Sequence, residues 1–294
     1  MDHKTLTGTG VALVTPFNNI GEVDFSSLKK LVEFVISNGV DFLVAMGTTS
    51  EAATLNNKEK EAVLSTIIET CNGRVPVVLG MGGNNTQAIL NDINSQNFEK
   101  IDAILSVAPY YNKPTQDGMI AHFNAIAESC PVPIILYNVP GRTSSNLAAS
   151  TVVKLAKTHK NIVAVKEASA DFDQIMEIIQ NKPKGFSVLS GDDALTMPLM
   201  AVGMEGVISV IANAFPKELS DLLSYSLDAD LAKAQEIHYK LIDIIDALFV
   251  EGNPAGVKAF MNCNNECKNE LRLPLIPVGK ETFENIIELN KTLS

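Results

Sequence analysis

The stretch NIVAVKEAS, residues 161–169, places a lysine in a run that otherwise has the composition of a buried strand. Apolar residues continue through this run without alternating polar ones, as in a parallel strand that is covered on both faces. A lysine ammonium is strongly hydrated, so burying Lys166 costs free energy unless the amine has a use or a partner. The stretch therefore predicts a buried parallel sheet and a candidate reactive amine within it.

Seven more short apolar runs of this kind occur along the 294 residues, starting at residues 10, 41, 75, 102, 133, 186 and 206. Helical patterns separate them. In the first helical pattern Asp24 is a candidate N-cap. In the second, Asn56 and Glu59 resemble a capping box. Eight strand-then-helix units predict an α/β fold, a (β/α)8 TIM barrel. An open doubly wound sheet is less favoured because no GxGxxG motif follows the first strand.

The C-terminal part of the chain has a different pattern. After Phe215 the strand signal stops, and the sequence is predicted to be helical from Glu218 through Phe249 and again near its end. We therefore predict a catalytic barrel over residues 1–224 and a C-terminal helical extension over residues 225–294.

Composition excludes several classes of partner. The net charge is -11, and no cluster of cations is available for nucleic acid or an anionic membrane. The N-terminal stretch MDHKTLTGTG has neither the basic nor the apolar region of a secretory signal, so the sequence predicts a cytoplasmic protein. Four cysteines and four scattered histidines predict no disulfide framework and no metal site, and no cofactor is expected.

In a barrel of this type the active site lies at the carboxyl ends of the strands, so polar residues there are the candidates for chemistry. Lys166 shares one strand face with Ile162 and Ala164, which directs its side chain into the barrel. Burial there favours the neutral amine, a nucleophile that forms a Schiff base with a carbonyl compound. The other candidates at these strand ends are Thr48, Thr49, Tyr110, Tyr111, Tyr137, Arg142, Asp192 and Asp193.

The alternative for Lys166 is a structural lysine paired with Glu167, Asp192 or Asp193. Tyr137 favours the catalytic interpretation, because neighbouring strands are about 4.8 Å apart and its phenol could then serve Lys166 in proton transfer. Arg142 follows in the turn NVPGRTS, where its planar guanidinium suits a substrate carboxylate. The GTT stretch at residues 47–49 offers hydroxyls and backbone N–H groups to a second carboxylate, although this pattern also occurs in plain turns.

Six motifs taken together resemble the dihydrodipicolinate synthase family, within the N-acetylneuraminate lyase superfamily. They run in order over essentially the whole chain: GTTSEAATLN (47–56), APYYNKPTQDG (108–118), LYNVPGRT (136–143), VAVKEAS (163–169), SGDD (190–193) and GVISVIAN (206–213). The resemblance implies the 4-hydroxy-tetrahydrodipicolinate synthase reaction, in which pyruvate condenses with L-aspartate 4-semialdehyde on the route to diaminopimelate and lysine.

The resemblance also implies roles for individual residues. Lys166 matches the Schiff-base lysine, and Tyr137 matches the tyrosine that donates and accepts protons in a relay with Thr48 and Tyr111. In the family this second tyrosine reaches across from a neighbouring subunit of a homotetramer that is a dimer of dimers. Pyruvate-contacting positions match Thr49, Gly191 and Ile208, and Arg142 matches the arginine that receives the semialdehyde carboxylate.

This sequence departs from the family pattern in two places. Ser50 and Ala52 stand where the family usually has glycine and serine. Members inhibited by lysine tend to have histidine where this chain has Asn57 and Lys60, and glutamate near Ala88. A cationic Lys60 without that glutamate disfavours an incoming lysine ammonium, so weak or absent feedback inhibition is expected.

Two other functions remain open from the sequence. One is the same Schiff-base chemistry on a sugar acid such as N-acetylneuraminate, which Arg142 disfavours because sialic-acid lyases typically lack it. The other is a non-catalytic ligand-binding paralogue that has kept the barrel. Against that interpretation, Thr48, Tyr111, Tyr137, Arg142 and Lys166 are all present.

Overall fold

The computed structural model describes residues 6–292. Eight strands form a closed barrel in sequence order from β1 to β8, which confirms the predicted (β/α)8 barrel. Their bounds are β1 (Gly8–Ala12), β2 (Phe42–Ala45), β3 (Val77–Gly80), β4 (Ala103–Val107), β5 (Ile134–Asn138), β6 (Ile162–Glu167), β7 (Ser187–Ser190) and β8 (Gly206–Ser209).

Twelve α-helices lie within the described residues. Eight belong to the region of the strands: α1 (Phe25–Ser37), α2 (Asn57–Cys71), α3 (Thr86–Ser95), α4 (Gln116–Ser129), α5 (Pro140–Thr143), α6 (Ala149–Thr158), α7 (Phe172–Asn181) and α8 (Thr196–Ala201). Four follow the last strand: α9 (Pro216–Leu227), α10 (Leu231–Phe249), α11 (Ala255–Cys263) and α12 (Lys280–Asn290). The predicted C-terminal helices are therefore present.

The chain divides into two compact units. Within the described residues, one comprises Pro76–Ile208 with residues 6–7, and the other comprises Gly8–Val75 with residues 209–292. The boundary predicted at residue 224 falls inside α9 and stays a prediction. No helix among residues 6–292 combines the length and apolar composition that a membrane span requires.

In the unit that contains Pro76–Ile208, the strands pair in parallel from β3 through β8. Their side chains form a dense core, and Leu136, Val165 and Val188 are completely buried. The pairing of β5 with β6 shifts in register at Ile134, and beyond this shift Tyr137 lies opposite Lys166. The irregularity therefore sets which side chains meet at the carboxyl ends of these two strands.

The other unit confirms both predicted helix starts. The Asp24 side chain accepts a hydrogen bond from the Ser27 N–H at the start of α1. Asn56 and Glu59 form a reciprocal capping box at the start of α2. Each cap satisfies backbone N–H groups that have no partner within the helix, so the two helices begin where their capping residues stand.

Candidate active site

Lys166 and Tyr137 form the centre of the candidate site. The Lys166 side chain projects from β6 and the residue is 5% exposed. Its Nζ lies 4.5 Å from the centroid of the Tyr137 ring, because the two residues are register partners on adjacent strands. The predicted approach of Tyr137 to Lys166 is confirmed. A buried amine and a phenol at this distance can exchange protons with a small molecule bound between them.

The alternative in which Lys166 is paired with a carboxylate does not match its contacts. No described residue forms an ion pair with Lys166. The neighbouring Glu167 accepts hydrogen bonds from Asn138, from the Ser169 N–H and from Gln174 on α7. Burial raises the pKa of Glu167, while these hydrogen bonds oppose the rise. Glu167 therefore serves the contact with α7 and leaves the Lys166 amine without a counter-ion.

Gly191 gives Lys166 its space. A Cβ at position 191 would lie 2.8 Å from Lys166 Cε and 2.7 Å from the Ala168 Cβ. Distances this short exclude a methyl group unless its neighbours move. The Gly191 N–H donates to the Glu167 carbonyl oxygen at 2.8 Å, so the backbone here is fixed to β6. Gly191, one of the positions that the sequence assigned to pyruvate, directly adjoins Lys166.

The loop after β4 carries Tyr111, and hydrogen bonds join it to the segment that carries Arg142. The Tyr111 N–H donates to the Thr143 carbonyl oxygen at 3.4 Å, and Ser145 Oγ donates to the Pro109 carbonyl oxygen at 2.5 Å. Tyr111 has a φ of 72°, an uncommon conformation for a residue with a side chain. The Tyr111 side chain is 88% exposed, so this loop directs the phenol away from the rest of the chain.

Arg142 lies in the short helix α5 with its side chain exposed. Its backbone N–H donates to the Val139 carbonyl oxygen at 2.9 Å, so the backbone that carries the side chain is held in place. The guanidinium forms no ion pair with any residue in the range 6–292. Its five donors are therefore free to bind a carboxylate in the bidentate geometry that arginine favours.

In the other unit, Thr48–Ser50 form a 3₁₀ turn directly after β2. Thr48 is exposed and Thr49 is buried. Thr49 Oγ1 accepts a hydrogen bond from Asn253 Nδ2 at 2.9 Å. Asn253 was not found from the sequence, because a contact between residues 204 positions apart leaves no local signal.

The remaining candidates lie at the strand ends but have structural contacts. Asp192 accepts from the Leu195 N–H at 3.2 Å, as at the start of a turn. The carbonyl oxygen of Tyr110 accepts from Asn84 at 3.1 Å, and Ile208 is buried on β8. No group of three or more His, Cys, Asp or Glu side chains in residues 6–292 could hold a metal ion; His3 lies outside that range.

A parallel barrel with an unpaired, buried lysine on its sixth strand is typical of barrel enzymes that act on carbonyl compounds. The family model described as the dihydrodipicolinate synthetase family matches residues 5–293. The 4-hydroxy-tetrahydrodipicolinate synthase of Flavobacterium psychrophilum is 48% identical over 291 residues, which cover 99% of each chain. The chain belongs to the dihydrodipicolinate synthetase family, as the sequence predicted.

Solved structures agree with this assignment. The chloride-inhibited dihydrodipicolinate synthase of Acinetobacter baumannii, solved with pyruvate, is 39% identical with a TM-score of 0.94 and covers 98% of this chain and 99% of its own. A monomeric dihydrodipicolinate synthase variant is 40% identical with a TM-score of 0.96 and covers 99% of this chain and 97% of its own. The fold and its whole length are thus shared with enzymes of this family.

Proposed function

We propose that this protein is a 4-hydroxy-tetrahydrodipicolinate synthase, which condenses pyruvate with L-aspartate 4-semialdehyde in the diaminopimelate and lysine pathway. Family membership and the full-length similarity to an enzyme of that name support the proposal. The observation that carries it is the buried Lys166 amine, which has no counter-ion among residues 6–292 and lies 4.5 Å from the Tyr137 ring. This pair supplies the nucleophile and the proton carrier that Schiff-base chemistry needs.

The first half of the reaction takes place on Lys166. Its amine attacks the ketone carbon of pyruvate, and the resulting carbinolamine loses water to form an imine. Loss of a proton from the pyruvate methyl group then gives an enamine, the carbon nucleophile for the next step. Tyr137 donates and accepts the protons of these steps, and Thr48 and Tyr111 complete its relay. Thr49, Gly191 and Ile208 are assigned to pyruvate binding.

In the second half, the enamine carbon attacks the aldehyde carbon of the semialdehyde and forms the new carbon–carbon bond. The amino group of the former semialdehyde then attacks the imine, which closes the ring and releases the Lys166 amine. Arg142 binds the carboxylate of the semialdehyde during both steps. Its exposed guanidinium, unpaired within residues 6–292, supports this role, since a bound carboxylate needs two parallel N–H donors.

The assembly is also part of the proposal. We infer a homotetramer, a dimer of dimers, in which Tyr111 completes the site of a neighbouring subunit. The 88% exposure of Tyr111 supports this arrangement, because a side chain that packs little against its own subunit is available to contact another subunit. A cytoplasmic location, the absence of a cofactor, and the division at residue 224 belong to the same proposal.

A substrate panel tests the reaction. The purified protein is incubated with pyruvate and one aldehyde at a time: aspartate semialdehyde, N-acetylmannosamine or glyceraldehyde. We expect pyruvate to be consumed with aspartate semialdehyde alone. Consumption with the sugar aldehyde would instead assign the chain to sialic-acid chemistry and would remove the role given to Arg142.

Borohydride trapping tests the amine directly. We expect pyruvate and borohydride to add a reduced adduct to Lys166, and Lys166→Met to abolish it. The matched control is Lys182→Met, which removes another largely buried lysine of the same unit, one that is paired with Glu205. This control is expected to keep the adduct. A wild-type protein that forms no adduct would be a binding protein instead.

A further inference from the structure

A fully buried ion pair joins the loop after β2 to the C-terminal helices. Lys258 Nζ on α11 lies 2.5 Å from Glu51 Oε1, and both side chains are 0% exposed. The desolvation cost of such a pair often exceeds its mutual attraction, so apolar side chains of the same volume would give similar stability. Its presence therefore calls for a role other than stability.

Glu51 is the residue that closes the loop carrying Thr48 and Thr49. It has a φ of 53° and follows the Thr48–Ser50 turn directly. The Glu51 N–H donates to the Thr48 carbonyl oxygen at 3.0 Å, and the Glu51 carbonyl oxygen accepts from the Thr54 N–H at 2.8 Å. A left-handed conformation at a non-glycine residue persists only where its surroundings hold it. The contacts of Glu51 therefore determine the conformation of the Thr48–Ser50 turn.

The second oxygen of Glu51 is held by the same C-terminal segment. Glu51 Oε2 accepts from the Arg272 N–H at 3.0 Å, and Lys258 also donates to the Glu270 carbonyl oxygen at 2.9 Å. The Arg272 guanidinium binds both oxygens of Glu59 at 2.6 and 2.9 Å. We call Glu51, Lys258 and Arg272 the Glu51 network. Each oxygen of Glu51 thus has a charged or backbone donor in a fixed place.

An aromatic ring covers the cations of this network. Lys258 Nζ lies 4.2 Å and Arg272 Cζ lies 4.5 Å from the centroid of the Phe17 ring. Phe17 is itself completely buried. Water is excluded from the pair, and in such surroundings the attraction between opposite charges is strong and directional. The network is therefore a rigid attachment for the turn.

We propose that the Glu51 network positions Thr48 for proton transfer, so that α11 and the Glu270–Arg272 segment act on the chemistry without touching substrate. The inference rests on the proposed function, which gives Thr48 its place in the relay. Glu51, Lys258 and Arg272 are positioning residues. A shift of the relay hydroxyl by about 1 Å can reduce turnover by about 100-fold, so loss of the attachment acts on kcat.

A set of charge-removing variants separates positioning from stability. Glu51→Gln and Lys258→Met each leave a buried charge without its partner, so each lowers both Tm and kcat. The double variant E51Q/K258M has no unpaired charge, so its Tm returns toward that of the wild type. Its kcat is expected to stay at least about tenfold low, because the tether of the turn is still missing.

The matched control is the pair Lys182–Glu205, which is 2.6 Å apart and also receives a backbone N–H, that of Val188. It lies at the amino end of β7. The double variant K182M/E205Q is expected to keep wild-type kcat within about twofold, since no turn of the candidate site depends on it. If E51Q/K258M recovers kcat together with Tm, the Glu51 network only stabilises and the inference is wrong.

A milder variant covers the case in which the buried substitutions fail to fold. Glu59→Gln weakens the Arg272 contact at a partly exposed position while its oxygen can still serve the cap. We expect a modest fall in Tm from the lost ion pair and a several-fold fall in kcat measured well below Tm, and an unchanged kcat contradicts the inference. Pyruvate trapping on Lys166 separates the two proposals: a wild-type protein without adduct or turnover overturns both, whereas an active wild type with fully active variants overturns the positioning role alone.

Discussion

At position 191 the space beside Lys166 requires a residue without a side chain. Because a Cβ there would come within 2.8 Å of Lys166 Cε, we expect Gly191→Ala to displace the lysine and to lower kcat/KM by about 10- to 100-fold. Overpacking should also reduce the free energy of unfolding by about 1–3 kcal/mol. Steady-state kinetics and urea denaturation measure the two effects.

The control for Gly191 is Gly83→Ala. A Cβ at Gly83 would meet only Ile89, at 3.9 Å, which is an ordinary contact. We expect this variant to keep wild-type kinetics. If Gly191→Ala is as active as Gly83→Ala, the space beside Lys166 is not limiting and the pocket assignment of Gly191 is wrong.

We predict that the residues near the start of α2 disfavour feedback inhibition by lysine. Asn57 and Lys60 lie in the first turns of that helix, Lys60 is partly buried, and Ala88 on α3 offers no carboxylate. A second ammonium near Lys60 would be repelled. We expect submillimolar lysine to leave the rate of pyruvate consumption essentially unchanged in a titration. Strong inhibition in that range would contradict the prediction.

At the scale of elements, local sequence signals predicted the strand positions and the helix starts, which local interactions determine. The strand positions followed from continuous apolar runs, and the starts of α1 and α2 followed from Asp24 and from Asn56 with Glu59. Both kinds of signal act within a few residues, so they can be read in sequence. The register shift at Ile134 could not be predicted, because it depends on how β5 fits β6. It nevertheless decides that Tyr137 meets Lys166.

The contact between α3 and α4 makes a contribution to stability that depends on pH. His122 on α4 shares a hydrogen bond of 2.8 Å with Thr86 at the start of α3. Burial lowers the pKa of His122 to about 4, from about 6.5 in the unfolded chain. The folded state therefore favours neutral His122, and this contribution is present above pH 6.5 and lost as the pH falls toward 4.

We accordingly expect the free energy of unfolding to decrease between pH 6.5 and 4, and His122→Gln to have a shallower decrease over that window. Urea denaturation at several pH values measures both slopes. Equal slopes in the wild type and the variant would show that His122 does not carry the acid sensitivity.

At the scale of the molecule, long-range contacts set the limit of prediction. The sequence named Thr48 and Thr49 from a motif, yet Asn253 and Lys258, which hold this loop, lie more than 200 positions away. Nothing local in their segments indicates these contacts. Glu51 lies within the quoted motif GTTSEAATLN, but its burial against Lys258 is seen only in the structure. Motifs therefore pointed to the candidate reacting groups, whereas the residues that we propose to position them became visible only in the three-dimensional structure.

The assembly can be tested by mixing two inactive variants. Lys166→Met removes the nucleophile, and Tyr111→Phe removes the phenol that we assign to a neighbouring subunit. If Tyr111 acts across an interface, a hybrid dimer has one site with an intact Lys166 and an intact Tyr111 from its partner. Random exchange then gives about one quarter of wild-type activity, since half of the dimers are hybrid and each has one working site.

The same mixture gives no activity if Tyr111 serves its own chain, because every site then lacks either its lysine or its phenol. Activity is measured after the two variants have been unfolded together and refolded. Tyr110→Phe is the matched control, since Tyr110 is the adjacent tyrosine and is 43% exposed. We expect that variant to be active alone. Restored activity in the mixture would show that the functional unit has at least two chains. No activity would show that Tyr111 acts in the site of its own subunit.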